Sequence, residues 1–288
     1  DNVTTNTFFS IDKARCSDLN FELKRFWEIE EVETSPPALK PEDIQCEEHF
    51  KSTHYRLPSG QYVVRLPFKY GEPQFGDSFH MASKRFYALE RKLAGNTPLQ
   101  TLYCEFMDEY QRMGHMAPTT SSSKFIIPHH CVVKEDKSTT KIRVVFDASA
   151  QLHNGSLNDQ LLIGEKLQTE IKDVILNFRR HPFVFSTDIV KMYRMILVDR
   201  QDRPFQHILW RYPGAENLSR FELCTVTYGQ ACAPFLALRV IKQLVSDHGS
   251  EYPLAAKVLS NDIYVDDILS GAPSISEAVE LRDQRIGL

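Results

Sequence analysis

Two strand-like segments of this sequence contain aspartate residues where strands normally have none. Asp188 interrupts the apolar run FVFSTDIV, and Asp266 and Asp267 interrupt the run IYVDDIL. Aspartate is rare inside strands and common in tight turns, and adjacent carboxylates repel one another. The second segment is therefore predicted to be a β-hairpin whose tip carries both acids. The run before Asp188 is predicted to be a buried strand.

Helical and strand-like patterns follow one another irregularly along the chain. Capping residues and apolar spacing of three to four residues predict helices at 17–33, 41–53, 78–94, 98–113, 169–180 and 234–248. Runs rich in β-branched and aromatic residues predict a hairpin at 55–69 and strands at 124–134, 141–149, 205–213 and 219–229. Because the strands and helices do not alternate as βα units, the predicted fold class is α+β.

Charge and apolar content limit the classes of function. Residues 1–50 carry a formal charge of −7, and the remaining residues carry +3. A mildly basic body is compatible with nucleic-acid binding, and the acidic segment is interpreted as a solvated face. No apolar run reaches the roughly 18 residues that cross a bilayer, so no membrane partner is predicted. Six cysteines without zinc or disulfide spacing indicate reduced, mostly buried thiols, which fits a cytosolic or nuclear compartment.

The acidic residues can be explained in two ways. Two adjacent carboxylates within reach of a third form a hard oxygen site suited to Mg²⁺, and two ions about 3.5–4 Å apart can drive an in-line displacement at phosphorus. This hypothesis requires Asp188 to lie beside Asp266 and Asp267. The alternative is an exposed hairpin turn whose charges have no role, together with a structural aspartate at 188.

Three motifs, in this order, carry a resemblance to a known family. FSTDIVKMY, VTYGQACAP and YVDD resemble the successive palm motifs of reverse transcriptases. Upstream, FWEIEEVE, GQYVVRLPFK, IPHHCVVKEDKSTTKIRVVFDASA and SLNDQLLIG are similar to the polyprotein of BEL/Pao-type LTR retrotransposons. The resemblance extends over roughly residues 19 to 280, which makes agreement by chance implausible.

The resemblance implies a domain organisation. Residues 1–53 would be an acidic helical linker or N-terminal extension. Residues 54–288 would be the fingers and palm of a right-hand polymerase with an antiparallel palm sheet. The family continues into a thumb and an RNase H region, so the chain is expected to be C-terminally truncated, with an incomplete reverse transcriptase.

The resemblance also implies an activity, RNA-directed DNA polymerisation by nucleotidyl transfer to a primer 3′-hydroxyl. Asp188 and Asp266 would be direct ligands of two Mg²⁺ ions, for which Mn²⁺ can substitute, and Asp267 would be the adjacent acid. The partners would be an RNA or DNA template with its primer and deoxynucleoside triphosphates (dNTPs). In an active element the enzyme would act in a cytoplasmic particle. The alternative is a catalytically inactive remnant that at most binds nucleic acid or a protein partner.

Four further residues are candidates for nucleotide binding. Lys141 and Arg143 are two residues apart in a predicted strand, so their side chains share a face that can bind a triphosphate. The alternative is two exposed basic residues on an edge strand without a role in binding. The family places an arginine matching Arg143 over the nucleotide phosphates. At the position of Tyr193 the family has an aromatic ring that lies beneath the sugar and blocks a ribose 2′-hydroxyl. The alternative is that Tyr193 is a packed core tyrosine.

Gly229 completes the set of nucleotide-binding candidates. Glycine lets the backbone approach a ligand closely, and the family has a glycine here near the template and nucleotide. Many related polymerases have glutamine directly before this glycine, whereas this chain has Tyr228 before it and Gln230 after it. Which side chain meets the nucleotide is therefore left open by the sequence.

Overall fold

The computed structural model describes residues 39–133 and 142–288. The compact unit within this range runs from Lys40 to Leu288. The helix predicted at 17–33 and the candidate Lys141 lie outside the described residues. No helix in the described ranges is both long and apolar enough to span a bilayer.

The described chain is a mixture of helices and short strands, as the α+β prediction expects. The helices are α1 (Pro41–Thr53), α2 (Ser78–Ala94), α3 (Thr97–Arg112), α4 (Ile171–Arg179), α5 (Ala233–His248), α6 (Pro253–Asn261) and α7 (Ile275–Gly287). The strands are β1 (Tyr55–Arg56), β2 (Tyr62–Val64), β3 (Met116–Pro118), β4 (His129–Val133), β5 (Ile142–Phe146), β6 (Phe183–Asp188), β7 (Leu197–Val198), β8 (His207–Trp210), β9 (Ser219–Leu223), β10 (Ile263–Tyr264) and β11 (Asp267–Ala272).

Several helices begin where the sequence supplies a capping side chain. The Asp77 carboxylate accepts a hydrogen bond of 2.8 Å from the amide of Phe79 at the start of α2. The Asn96 side chain accepts one of 3.1 Å from the amide of Leu99 in α3. Each cap satisfies a backbone donor that has no partner within its helix. Both caps lie at the starts of the helices predicted at 78–94 and 98–113.

The strands form four small sheets. Their orders are β1-β2-β7, β3-β9-β8, β4-β5 and β10-β11-β6. The β2–β7 pair is parallel and the other pairs are antiparallel. The predicted hairpin at 55–69 and the predicted pair at 205–213 and 219–229 are both present.

Helix α3 supplies much of the core through an apolar stripe. Tyr103, Met107 and Tyr110 on this stripe are fully buried, whereas Met113 at the end of the helix is 42% exposed. The Tyr103 ring stacks on Trp210 of β8, with ring centroids 5.3 Å apart. Helix α3 is therefore packed against the β3-β9-β8 sheet.

Helix α1 packs with the rest of the described chain. Phe50 is buried beneath the guanidinium of Arg239, 4.4 Å from the ring centroid, and meets Phe235 edge-on at 6.5 Å. Arg239 also forms a 2.8 Å ion pair with Glu47. The compact unit consequently begins at Lys40 and includes α1, which buries its apolar side in the common core.

The prediction of a buried strand before Asp188 is wrong. Phe183 and Val184 of β6 are 42% and 48% exposed, and Asp188 is exposed as well. Within the described residues, β6 pairs with β11 on one side and forms the edge of its sheet. An edge strand tolerates an acid at its end because water can solvate the carboxylate.

Candidate active site

The hairpin of β10 and β11 brings the three aspartates to one place. Tyr264 pairs with Asp267, so Val265 and Asp266 form the two-residue turn between the strands. On the other side of β11, Asp267 pairs directly with Asp188 of β6. The amide of Ile189 donates a 2.7 Å hydrogen bond to the carbonyl oxygen of Asp266. The backbone thus places Asp188, Asp266 and Asp267 side by side at one end of the sheet, and we call these three residues the acidic rim.

Side chains that oppose one another across an antiparallel pair point to the same face, with Cβ atoms about 4.5–5.5 Å apart. Asp188 and Asp267 therefore share a face, and both are exposed. The other face is covered: Ile268 is buried in the core, and Arg285 of α7 donates to the Thr187 hydroxyl at 2.5 Å. The sheet presents its acidic face to solvent and its apolar face to the protein.

The acids interact electrostatically. The pKa of Asp188 is raised, first by partial desolvation and then by the negative charges of Asp266 and Asp267. Nearby negative charges disfavour ionisation of the Asp188 carboxyl group. A divalent cation at the rim would offset this repulsion.

The donor chemistry of the rim fits a hard cation, since three carboxylates are the ligands that Mg²⁺ prefers. No group of three His, Cys, Asp or Glu side chains in residues 39–133 and 142–288 is arranged to hold a metal ion. Repulsion favours rotamers that keep carboxylate oxygens apart, whereas a bound cation favours rotamers that bring them together. The register of β6 and β11 brings the three acids together, and their oxygen donors are of the kind that binds a hard cation.

Backbone strain is concentrated around these acids. Lys191 and Val265 have φ angles of 55° and 59°, and they are the non-glycine residues with positive φ in the described parts of the chain. A positive φ is unusual for any side chain and more so for β-branched valine, at a cost of about 1–3 kcal/mol. Lys191 follows Asp188 by three residues, and Val265 directly precedes Asp266.

Contacts from α3 support the turn after Asp188. The Lys191 ammonium pairs with Glu109 at 2.5 Å. The Arg194 guanidinium lies over the Tyr110 ring at 5.3 Å and over the Tyr228 ring at 5.6 Å. No local pattern predicts these contacts, because each joins segments that are distant along the chain.

Tyr193 lies between the acids and the glycine loop. Its ring is half-buried and meets Tyr228 edge to face, with centroids 6.1 Å apart. The pKa of Tyr193 is raised by burial and then by the charge of Asp266. The structure therefore brings Tyr193 into the neighbourhood of the acidic rim, whether its ring serves packing or sugar selection.

Gly229 occupies a position that no other residue fits easily. Its φ angle is +99°, and a Cβ atom there would lie 2.2 Å from the carbonyl oxygen of Phe146. The Asn158 side chain holds the loop from the other side. It donates to the Gly229 carbonyl at 2.8 Å and accepts from the Ala231 amide at 2.8 Å. Asn158 lies in the SLNDQLLIG motif, but its role as a loop clamp was not predicted.

Arg143 lies on β5 with its side chain exposed, opposite Val132 of β4. Its charge acts on the hydroxyl of Tyr228: burial raises the pKa of Tyr228, and Arg194 and then Arg143 oppose that rise. Arg143 therefore belongs to the same region as the glycine loop. The second basic candidate, Lys141, lies outside the described residues.

Gln168 is a further residue near the acids that the sequence did not single out. Its side-chain oxygen accepts a 2.8 Å hydrogen bond from the Val265 amide, and its side-chain nitrogen donates at 3.0 Å to the Ile263 carbonyl. Gln168 and Val265 are 97 residues apart in the sequence. No local pattern could have revealed this contact.

Comparisons with known proteins give matches among solved structures. No protein-family model matches the chain. No curated protein matches it either. Among solved structures, the chain is similar to "the foamy viral protease-reverse transcriptase dRH in complex with ds DNA", with 15% sequence identity and a TM-score of 0.49. The similarity covers 63% of this chain and 27% of that chain, so it spans about a quarter of the viral protein's length.

Proposed function

We propose that this chain is the fingers and palm of an RNA-directed DNA polymerase from a BEL/Pao-type retrotransposon polyprotein. The observation that carries the proposal is the register of β6 and β11, which sets Asp188 opposite Asp267 with Asp266 in the adjoining turn. Two neighbouring acids and a third from a distant part of the sequence, brought together in space, are what two-metal nucleotidyl transfer requires. The order of the three palm motifs supports the same proposal.

Each residue of the site has a proposed role. Asp188 and Asp266 would hold the metal ions, with Asp267 beside them. Bound Mg²⁺ or Mn²⁺ would supply Lewis-acid activation of the primer 3′-hydroxyl and charge stabilisation of the leaving pyrophosphate.

The remaining candidates would position the dNTP. Arg143 would contact its phosphates through a fork of donors. The ring of Tyr193 would exclude a ribose 2′-hydroxyl by its bulk. The loop at Gly229 would approach the nucleotide through its backbone, with the Tyr228 ring beside it. A template, RNA or DNA, and its primer are the proposed macromolecular partners.

Primer extension on poly(rA)/oligo(dT) tests this function. We expect Mg²⁺-dependent incorporation of dTTP by the wild-type chain and a loss of at least about a hundredfold in Asp266→Asn, because a metal ligand contributes several kcal/mol to the transition state. Asp283→Asn, at an exposed acid of α7, is the matched control and is expected to keep wild-type activity. Equal incorporation by Asp266→Asn and wild type would contradict the proposal.

A second candidate is a catalytically inactive module that binds nucleic acid or a protein. The observation that favours it is that no described group of three acidic, histidine or cysteine side chains is arranged to hold a metal ion. This candidate predicts no incorporation by wild type or variant under Mg²⁺ or Mn²⁺. Binding of a primer–template duplex would then be unchanged by Asp266→Asn in a gel-shift titration.

A further inference from the structure

The turn that carries Asp266 needs support from outside the hairpin. Two-residue hairpin turns with positive φ normally use glycine, asparagine or aspartate, whereas this turn places valine at 265 with φ of 59°. A β-branched residue adopts this conformation only where surrounding contacts hold it. The adjoining strand β10 is two residues long, so the hairpin itself offers few such contacts.

The outer edge of β10 is where that support is found. In the order β10-β11-β6, β10 has β11 on one side, and its other side faces Gln168. The Gln168 amide accepts from Val265 and donates to Ile263, two residues earlier. A carboxamide presents a donor and an acceptor side by side, as the backbone of a neighbouring strand does. Gln168 thereby substitutes for a strand at this edge.

Gln168 is itself anchored. The preceding residue, Leu167, packs against the hydrophobic core. The Gln168 side-chain nitrogen also donates to the Thr169 carbonyl at 3.2 Å, just before α4 begins. On the opposite side of the turn, the Ile189 amide holds the Asp266 carbonyl at 2.7 Å. The turn is therefore fixed between the chain before α4 and the end of β6.

We infer that Gln168 is a positioning residue for the acidic rim: its amide holds Val265 in its strained conformation and so aims Asp266 toward Asp188. The consequence for metal binding rests on the proposed function. The support that Gln168 gives to the turn does not depend on that function, because it follows from the two hydrogen bonds and the φ angle of Val265 alone.

Full-length Gln168→Met tests this role, since methionine keeps the length of the side chain and removes both hydrogen bonds. Gln74→Met makes the same change at an exposed position and is the matched control. Hydrogen exchange reports the Val265 amide, and Mn²⁺ titration followed by electron paramagnetic resonance reports the acidic rim. We expect Gln168→Met to accelerate Val265 exchange and to weaken Mn²⁺ binding, each by about tenfold, which is the effect of roughly one lost hydrogen bond.

A rescue variant separates positioning from general damage. Glycine adopts positive φ without strain, so Val265→Gly removes the need for support at this turn. We expect Gln168→Met/Val265→Gly to recover most of the Mn²⁺ affinity that Gln168→Met loses. In primer extension, Gln168→Met is expected to lower kcat with little change in the KM for dTTP, because the rim moves and the nucleotide contacts stay.

The outcomes for Gln168 and for the polymerase function are distinguishable. If Gln168→Met shows wild-type hydrogen exchange at Val265 and wild-type Mn²⁺ affinity, the positioning role is overturned. If Gln168→Met polymerises as well as the wild type, the positioning role is also overturned, but the polymerase function is not. If no variant polymerises but exchange and Mn²⁺ affinity change as expected, Gln168 positions the rim and the proposed enzyme activity is wrong.

Discussion

At the scale of single residues, the candidate site depends on positions where the backbone leaves no choice of side chain. Gly229 is one of them, since its φ angle is positive and the space its Cβ would need is occupied by the Phe146 carbonyl. Glycine alone satisfies both conditions without moving the loop. The sequence predicted that the backbone at Gly229 approaches a ligand, and the structure shows that it lies against the carbonyl oxygen of Phe146 at the end of β5.

Gly229→Ala is predicted to destabilise the protein and to displace the loop beside Tyr228. The strain of positive φ costs an alanine about 1–2 kcal/mol, and the overlap with Phe146 adds to it. Gly214→Ala is the control, because Gly214 has φ of +85° and nothing within 4 Å of its Cβ position. Urea unfolding midpoints of both variants measure the difference. Equal losses in the two would show that the contact with Phe146 does not matter.

At the scale of secondary-structure elements, the sequence predicted local features well and their relations less well. Helices α1, α2 and α3 begin within a residue or so of the expected positions, because proline, Asp77 and Asn96 mark their starts locally. The acidic hairpin was also predicted, since its turn and strands lie within ten residues.

The contacts that the sequence could not predict join residues that are distant along the chain. Asn158 and Gly229 are 71 residues apart, and neither residue type predicts the other. The exposure of β6 was mispredicted for the same reason: an apolar run does not reveal whether its strand lies at the centre or the edge of a sheet. The packing of α1 against α5 is another such relation, since Phe50 and Arg239 are far apart along the chain.

Helix α1 provides a test at this scale. Phe50→Ala is predicted to lower the free energy of unfolding by about 3–5 kcal/mol, because a fully buried ring is lost from beneath Arg239 and beside Phe235. Phe79→Ala removes the same ring from a 50% exposed position in α2 and is expected to cost far less. Urea denaturation of both variants gives the comparison. Similar values would mean that α1 does not share the core.

At the scale of the whole molecule, buried histidines make the free energy of unfolding depend on pH. His115, His129 and His207 are buried, and burial lowers the pKa of each to about 4. An unfolded histidine has a pKa of about 6.5, so between these values the unfolded chain binds protons that the folded chain excludes. The stability contributed by neutral histidine is therefore complete above pH 6.5 and is lost as the pH falls toward 4.

Urea unfolding at pH values from 8 to 4 measures this effect. We expect constant stability near neutrality and then a decline of up to about 1.4 kcal/mol per pH unit for each histidine. Replacement of His207 by glutamine is expected to make the decline shallower, since one titrating group is removed. A flat stability profile between pH 6.5 and 4 would rule out burial of these three side chains in their neutral form.

The pairing of β6 with β11 also determines when the candidate site can exist. Asp188 is synthesised well before Asp267, yet the two face each other only after the later strand has emerged and docked. Translation adds about 5–20 residues per second, so several seconds separate the two strands. A nascent chain that ends before β11 has its first acid on a strand without its neighbour. Any chemistry that uses all three acids can therefore begin only after β11 has left the exit tunnel.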